Sequence, residues 1–350
     1  MNLSLLLAPL TIPLSWVYDA VTTVRNLLFD RGVLPSERFP LPVIGVGNLA
    51  VGGTGKTPHV EHILHLLHEQ GLRPAMLSRG YGRTTRGFRA VEEGETGATC
   101  GDEPFQVSRN CPFAHVAVCE DRREGIRRLL ARWQDTDVVV LDDAFQHRYV
   151  RPGLQILLTD AARPFTKDHV MPWGRLRESR RGAKRADVIV VTKCRDGQTP
   201  SVPLAPGQHL FFSRIVYAPL RPFLVESSEN VETKGKRVLL ISGIANPRPL
   251  AEHLRRTGAK KVEHLDFPDH HRFTSQDAAR MARAGKEAEL IVTTEKDAVR
   301  LNAVAQELPS DILQKIYVQP ITVSMAPAEG EAQTFQQIIQ DYVTANQRNR

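Results

Sequence analysis

Val43-Ile44-Gly45-Val46-Gly47-Asn48-Leu49-Ala50-Val51-Gly52-Gly53-Thr54-Gly55-Lys56-Thr57 is an apolar run, then a glycine-rich loop, and a helical pattern starts just beyond Pro58. Strand, loop and helix in that order form the context in which backbone amides wrap phosphate oxygens. Glycines let successive N–H groups turn inward, the helix start adds positive potential, Lys56 can reach β and γ phosphates, and the Thr57 hydroxyl can ligate Mg²⁺. Gly52, Gly53, Thr54, Gly55, Lys56 and Thr57 are therefore the candidate nucleotide-binding residues. Ala50 stands where the usual pattern has its first glycine, so the flanks carry this assignment more than the bare motif does.

A loop of this kind needs a carboxylate for magnesium at the end of a neighbouring strand. The apolar run 138–141 ends in Asp142 and Asp143 and continues as Ala144-Phe145-Gln146-His147-Arg148. Paired acids after a buried strand repel each other unless a cation sits with them; their structural alternative is a helix cap or turn. Further apolar runs at 43–46, 75–78, 115–119, 154–159 and 188–192 alternate with helical stretches at 59–70 and 122–133. Continuous rather than alternating hydrophobicity indicates strands covered on both faces, hence an α/β fold with a parallel, doubly wound sheet.

The 350 residues exceed what one core usually holds, so two domains are expected. A polar, proline-containing stretch at 194–207 breaks the first regime, and extended segments at 210–217 and 222–226 suggest a connecting hairpin. Alternation then restarts with strands near 238–241, 261–265 and 290–293 and helices near 249–257 and 275–284. The expected organisation is an apolar and amphipathic helix at 1–30, a P-loop domain at 31–209, a hairpin linker at 210–232 and a smaller α/β domain at 233–350, frayed over 346–350.

Composition is globular, with 41% hydrophobic and 24% charged residues, and 24 glycines and 23 prolines exclude a collagen-like or wholly disordered chain. No solenoid repeat is present. The four cysteines form no C-x-x-C pair, which favours reduced, buried thiols in a cytosolic compartment.

Residues 1–18 carry no charge, yet Pro9 and Pro13 interrupt them, and the run falls short of the roughly 20 residues that span a bilayer. Without a basic leader or a small-x-small cleavage site, export is not expected. From 14 to 29, Val17, Val21, Val24 and Leu28 recur at helical spacing, with Ser15, Asp19, Thr22 and Asn26 on another face. Such a helix either packs on the domain core or lies in a membrane surface. Leu5, Leu6, Leu7, Leu10, Ile12 and Trp16 favour the membrane.

Two uses of a nucleoside triphosphate compete. Partitioning and membrane-cycling switch ATPases place a lysine before the paired glycines, where this chain has Val51. A kinase needs a base for an acceptor hydroxyl and positive charge around the transferred group. Cys100-Gly101-Asp102-Glu103-Pro104 and Asp269-His270-His271 offer such acids and histidines, although each alone reads more readily as a solvated loop. Residues 174–185 hold six basic side chains and one acid, which suits phosphates or an anionic membrane better than base stacking. No nucleic-acid motif accompanies them, and no nucleic-acid partner is expected.

In order along nearly the whole chain, these motifs resemble the tetraacyldisaccharide 4'-kinase (lipid A 4'-kinase) family. The resemblance is carried by Gly47-Asn48-Leu49, Gly52-Gly53-Thr54-Gly55-Lys56-Thr57-Pro58, Ser78-Arg79-Gly80-Tyr81-Gly82 and Gly101-Asp102-Glu103-Pro104. It continues through Asp142-Asp143-Ala144-Phe145-Gln146-His147, Gly174-Arg175-Leu176-Arg177-Glu178, Phe267-Pro268-Asp269-His270 and Thr294-Glu295-Lys296-Asp297-Ala298-Val299. It implies transfer of the ATP γ-phosphate to the 4'-hydroxyl of an acylated disaccharide 1-phosphate, giving lipid IVA at the cytoplasmic face of a bacterial inner membrane. It also implies two α/β/α domains joined by a β-hairpin.

By motif position, the resemblance makes Asp102 the catalytic base and His270, rather than His271, its partner. Thr57, Asp142, Asp143 and Glu178 would serve Mg²⁺, and Arg79, Arg148 and Arg177 would contact anions. With Asp102 and His270 in different domains, the cleft is expected to close around the nucleotide.

Overall fold

The computed structural model describes residues 3–195, 197–223 and 231–347. Its strands are β1 (Val43–Asn48), β2 (Pro74–Ser78), β3 (Arg89–Ala90), β4 (His115–Val118), β5 (Val138–Leu141), β6 (Leu154–Asp160), β7 (Val188–Thr192), β8 (His209–Tyr217), β9 (Arg221–Pro222), β10 (Arg237–Ser242), β11 (Lys261–Asp266), β12 (Leu290–Thr294), β13 (Ile316–Gln319) and β14 (Ile321–Pro327). The helices are α1 (Leu3–Asp30), α2 (Lys56–Glu69), α3 (Gly97–Cys100), α4 (Asp102–Asn110), α5 (Arg122–Arg132), α6 (Arg248–Arg256), α7 (Ser275–Gly285), α8 (Glu295–Leu301), α9 (Ser310–Leu313) and α10 (Phe335–Gln347).

Nine strands form the first sheet in the order β14-β8-β7-β6-β1-β5-β2-β4-β3. The apolar runs form its parallel centre, and the pleat splits each run between two cores. Ile44, Val46, Val138 and Val140 face one core with Val60, Ile63, Leu64 and Leu67 of α2. Val43, Val139 and Leu141 face the other with Ile126 and Leu129 of α5. Because β1 and β5 are parallel neighbours, in register at Gly45 and Leu141, the glycine-rich loop and the paired aspartates leave the same end of the sheet side by side. A second sheet, ordered β11-β10-β12-β13-β9, carries its own cores around Leu239 and Ile241 on one face and Val238 and Leu240 on the other.

The connection between the sheets differs from the expected hairpin within 210–232. β8 pairs antiparallel with β14, from Tyr217 opposite Ile321 to Phe211 opposite Pro327. β9 crosses over and pairs with β13 of the second sheet. Part of the expected hairpin, 224–230, lies outside the described residues.

The expected C-terminal unit of 233–350 is corrected in the same way, since the chain returns to the first sheet through β14. Helix α10 then lays Phe335, Ile338, Ile339 and Val343 on the first core. Its Tyr342 hydroxyl accepts from Val43 N at 2.9 Å and donates to Val43 O at 3.0 Å, which ties the end of the chain to β1. Of the residues expected to fray, 346 and 347 belong to α10 and 348–350 lie outside the described residues. All four cysteines are free thiols.

Helix α1 continues through Pro9 and Pro13. One face is bonded to the first domain. Trp173 N donates to Ser15 Oγ at 2.9 Å, Tyr18 Oη donates to Arg177 O at 3.1 Å, and Arg25 donates to Gln146 O at 3.2 Å. Asn26 donates to Glu178 at 2.6 Å, and Phe29 is buried edge-on against Tyr149. The opposite face leaves Leu14, Trp16, Val17, Val21, Val24 and Leu27 exposed. Among the described residues, no helix is long and apolar enough to cross a membrane.

Candidate active site

Where β1 ends, Val51–Thr57 turns over the start of α2, and Lys56 is the first helical residue. Gly55 sits at φ 83°, a left-handed conformation that strains any residue with a Cβ. Side chains from beneath fix the loop. Asn48 donates to Thr54 Oγ1 at 2.8 Å, Thr192 Oγ1 donates to Thr54 O at 2.9 Å, and Lys193 donates to Gly53 O. His59 lies buried one turn into α2. Its Nδ1–H donates to Gly55 O at 2.6 Å, and its Nε2 accepts from the Ser213 hydroxyl at 2.8 Å. Burial pushes its pKa down to about 4, so the ring is neutral at physiological pH. None of these props was identified from sequence.

The paired aspartates serve different partners. Asp143, at a positive φ of 47°, receives Lys56 at 3.6 Å and Arg177 at 3.0 Å. Burial alone would raise its carboxyl, but Lys56 and Arg177 hold it below the usual range. Asp142 is buried, accepts from Ser78 Oγ at 3.1 Å through Oδ2, and leaves Oδ1 buried without a partner. Burial, with the nearby Glu103 and Asp143 carboxylates, pushes it above the ordinary aspartate value against the pull of Lys56 and Arg122.

Arg177 reaches this site because 49–51 and 175–177 run side by side. Val51 N donates to Arg175 O at 2.8 Å and Arg177 N donates to Leu49 O at 2.7 Å. Glu178 stands apart. Its Oε1 accepts from Gln146 at 3.0 Å and Arg185 at 2.8 Å, and its Oε2 accepts from Asn26 of α1 at 2.6 Å, so both oxygens are engaged. Among the described residues, no three His, Cys, Asp or Glu side chains gather as a ready-made metal site. Arg148 also faces α1 rather than the cleft, donating to Asn26 O at 2.8 Å and pairing with Asp30. Arg79 is exposed on the loop after β2, near enough to Arg122 and His147 to repel them electrostatically.

Asp102 opens α4 behind Gly101, whose φ of 97° and contact with the 80–81 backbone leave no room for a Cβ. From the second domain comes the 268–272 turn. His270 adopts φ 60°, unusual for a residue with a side chain, which turns its ring toward Tyr81 with centroids 6.3 Å apart. His271 goes the other way, stacking on Phe267 and bonding Asp277 at 2.9 Å. Asp102 and His270 meet neighbouring nitrogens of one guanidinium, Nε and Nη2 of Arg300 on α8, at 2.7 and 3.2 Å. One turn earlier on α8, Lys296 pairs with Glu103. Burial pushes the Glu103 carboxyl up, but the ammonium groups of Lys296 and Lys56 hold it low.

Comparison with known proteins identifies the family. The family model described as "LpxK: Tetraacyldisaccharide-1-P 4'-kinase" matches residues 7–343. The tetraacyldisaccharide 4'-kinase of Parabacteroides distasonis is 44% identical, over 96% of this chain and 95% of the relative. That of Flavobacterium johnsoniae is 39% identical, over 97% and 98%. A crystal structure described as "apo" form LpxK from Aquifex aeolicus in complex with ATP superposes with a TM-score of 0.77 at 28% identity, covering 99% of both chains. With a family model matching residues 7–343 and relatives matching over nearly their whole length, the chain belongs to the tetraacyldisaccharide-1-P 4'-kinase family.

Proposed function

We propose that this chain transfers the γ-phosphate of ATP to the 4'-hydroxyl of a tetraacyldisaccharide 1-phosphate, yielding the 1,4'-bisphosphorylated lipid IVA. The carrying observation is that Asp102 and His270 meet at Arg300, while Glu103 beside Asp102 lies within electrostatic reach of Lys56 of the loop, itself against Asp143. Loop amides and Lys56 bind the phosphates and spread the charge that builds up on the transferred group. Mg²⁺ fits the oxygens present: the orphaned Oδ1 of buried Asp142, one strand away from the Thr57 hydroxyl, is a hard donor without a proton partner. Asp142 and Thr57 would hold the ion, which would supply positive charge against the phosphates. Asp143 stays with Lys56 and Arg177, which orient it beside the phosphates. Asp102 takes the proton from the 4'-hydroxyl as that oxygen bonds to the γ-phosphorus and the bond to the β-phosphate oxygen breaks, releasing ADP. Arg79 is the exposed cation available to an acceptor anion.

An acylated acceptor remains in the bilayer, so the enzyme must come to it. The bare apolar face of α1 supports membrane docking, and the need for ATP favours the cytoplasmic face. The basic run divides accordingly: Arg177 and Arg185 turn inward onto Asp143 and Glu178, whereas Arg175, Arg180, Arg181 and Lys184 are exposed and suited to anionic headgroups. The switch-ATPase alternative is not favoured, given Val51 before the glycines and a family named for a kinase. Incubation with γ-labelled ATP and the disaccharide 1-phosphate in detergent should place label on the lipid. Label released only as inorganic phosphate would contradict the proposal.

A further inference from the structure

The side chain of Arg300 is 4% exposed, and a buried arginine must find acceptors for its five N–H donors. Two bonds tie it to its own domain: Nη1 donates to Gly243 O at 3.2 Å and to Asp297 Oδ1 at 3.3 Å. Asp297 is itself buried and held through its other oxygen by Gly243 N at 3.1 Å and the Thr294 hydroxyl at 2.7 Å, so the arm has a rigid base. The remaining bonds run to the reacting groups. Nε donates to Asp102 Oδ2 at 2.7 Å across the domain boundary, and Nη2 meets His270 Nδ1 at 3.2 Å.

An arginine has no acceptor, so His270 Nδ1 must offer its lone pair, and the ring proton is confined to Nε2. That nitrogen faces Asp269 at 4.0 Å. Asp102, with Oδ2 committed to Arg300, keeps Oδ1 without a hydrogen bond among the described residues. We propose that Arg300 is a positioning residue for phosphoryl transfer: one guanidinium orients the Asp102 carboxylate toward the acceptor hydroxyl and fixes the tautomer of His270, joining the two halves of the site across the domain boundary. This rests on the assignment of Asp102 and His270 to catalysis.

The neighbouring pair of Lys296 and Glu103 joins the same helices but reaches neither Asp102 nor His270, so it holds the seam and not the reacting groups. Arg300 is one turn further along α8 and does both.

The test uses the full chain with Mg²⁺, ATP and detergent-dispersed acceptor. Arg300→Met should lower kcat about 10- to 100-fold, as loss of an orienting partner does, with KM for ATP within about twofold. Arg300→Lys should recover part of the rate. In ¹⁵N histidine spectra of the wild-type chain, assigned with His270→Gln, His270 should show a protonated Nε2 and a bare Nδ1; in Arg300→Met the two tautomers should mix.

Wild-type kcat in Arg300→Met, or a fall in kcat with the His270 signals unchanged, would overturn the proposal, the second outcome leaving Arg300 as a domain clamp alone. Should Arg300→Met not fold, a wild-type His270 protonated on Nδ1 would overturn it equally. Asp102→Asn separates the underlying assignment. If that variant keeps full rate, the choice of base fails whatever Arg300 does; if it is inactive while Arg300→Met is normal, only the role of Arg300 fails.

Discussion

Converting Val17 and Val21 to aspartate together should detach the protein from lipid while leaving its chemistry intact. Both side chains lie on the outer face of α1, 62% and 63% exposed, and neither side of the helix that binds the domain is touched. Burying a valine or leucine fully is worth about 1.5–3 kcal/mol, so at this exposure each valine contributes roughly 1–2 kcal/mol on entering a membrane interface. Losing both removes about 2–4 kcal/mol, or roughly 30- to 700-fold in partitioning, before the cost of submerging two carboxylates is added. Co-sedimentation with vesicles containing anionic lipid measures the change directly. The bonds from Ser15, Tyr18, Arg25 and Asn26 persist, so activity on acceptor dispersed in detergent should stay within about twofold of normal, since surface changes away from the site have small effects. Vesicle binding equal to wild type would refute the assignment of this face to the membrane.

Three further outcomes are expected. Asp102→Asn should reduce kcat by about 10²- to 10⁴-fold in a coupled ADP-release assay with acceptor present, the range for a lost general base; a near-normal rate would remove Asp102 from the mechanism. His59→Phe fills the same space but releases Gly55 O and Ser213, and should raise KM for ATP several-fold with little change in kcat at saturation. The third outcome concerns Glu61, buried on α2 beside the Glu295 carboxylate and accepting from Gln106 and Asn110. Burial first, then Glu295, pushes Glu61 up to about 8, so the folded chain holds a proton that the unfolded chain releases above the ordinary glutamate value. The stability this provides is full below that ordinary value and is lost as pH rises toward 8, with a slope of up to about 1.4 kcal/mol per pH unit. Glu61→Gln should flatten that slope in denaturant titrations at pH 5.5, 7 and 8.5.

The parallel centre of the first sheet was legible because its strands are buried on both faces and read as unbroken Val/Ile/Leu runs. So was the loop, since strand, glycines and helix are contiguous in the chain. What escaped depends on pairing between distant segments. Nothing local in 321–327 says that it will lie against 209–217, and α10 looks like any terminal amphipathic helix until its Tyr342 is seen on β1.

The same limit applies at the site. Arg148, Arg177 and Glu178 carry the same kinds of charge whether they face phosphate, carboxylate or the polar side of α1, and only the fold assigned Arg148 and Glu178 to the helix. His271 and His270 are adjacent, yet the left-handed turn at 270 sends one ring to Tyr81 and Arg300 and the other to Phe267. A signal for Arg300 did exist: it follows Lys296 at i+4 on a short helix whose acidic residues, Glu295 and Asp297, are also buried. His59 offered another, a polar ring one turn into the buried face of α2.

The most direct measurement is a crystal structure with Mn²⁺ and a non-hydrolysable ATP analogue, located by anomalous scattering. The predicted result has the triphosphate wrapped by the 51–57 amides, the ion on Thr57 and Asp142, and the γ-phosphate facing Asp102 with Arg300 still holding it. A nucleotide bound elsewhere, or a terminal phosphate turned away from Asp102, would contradict the proposed chemistry.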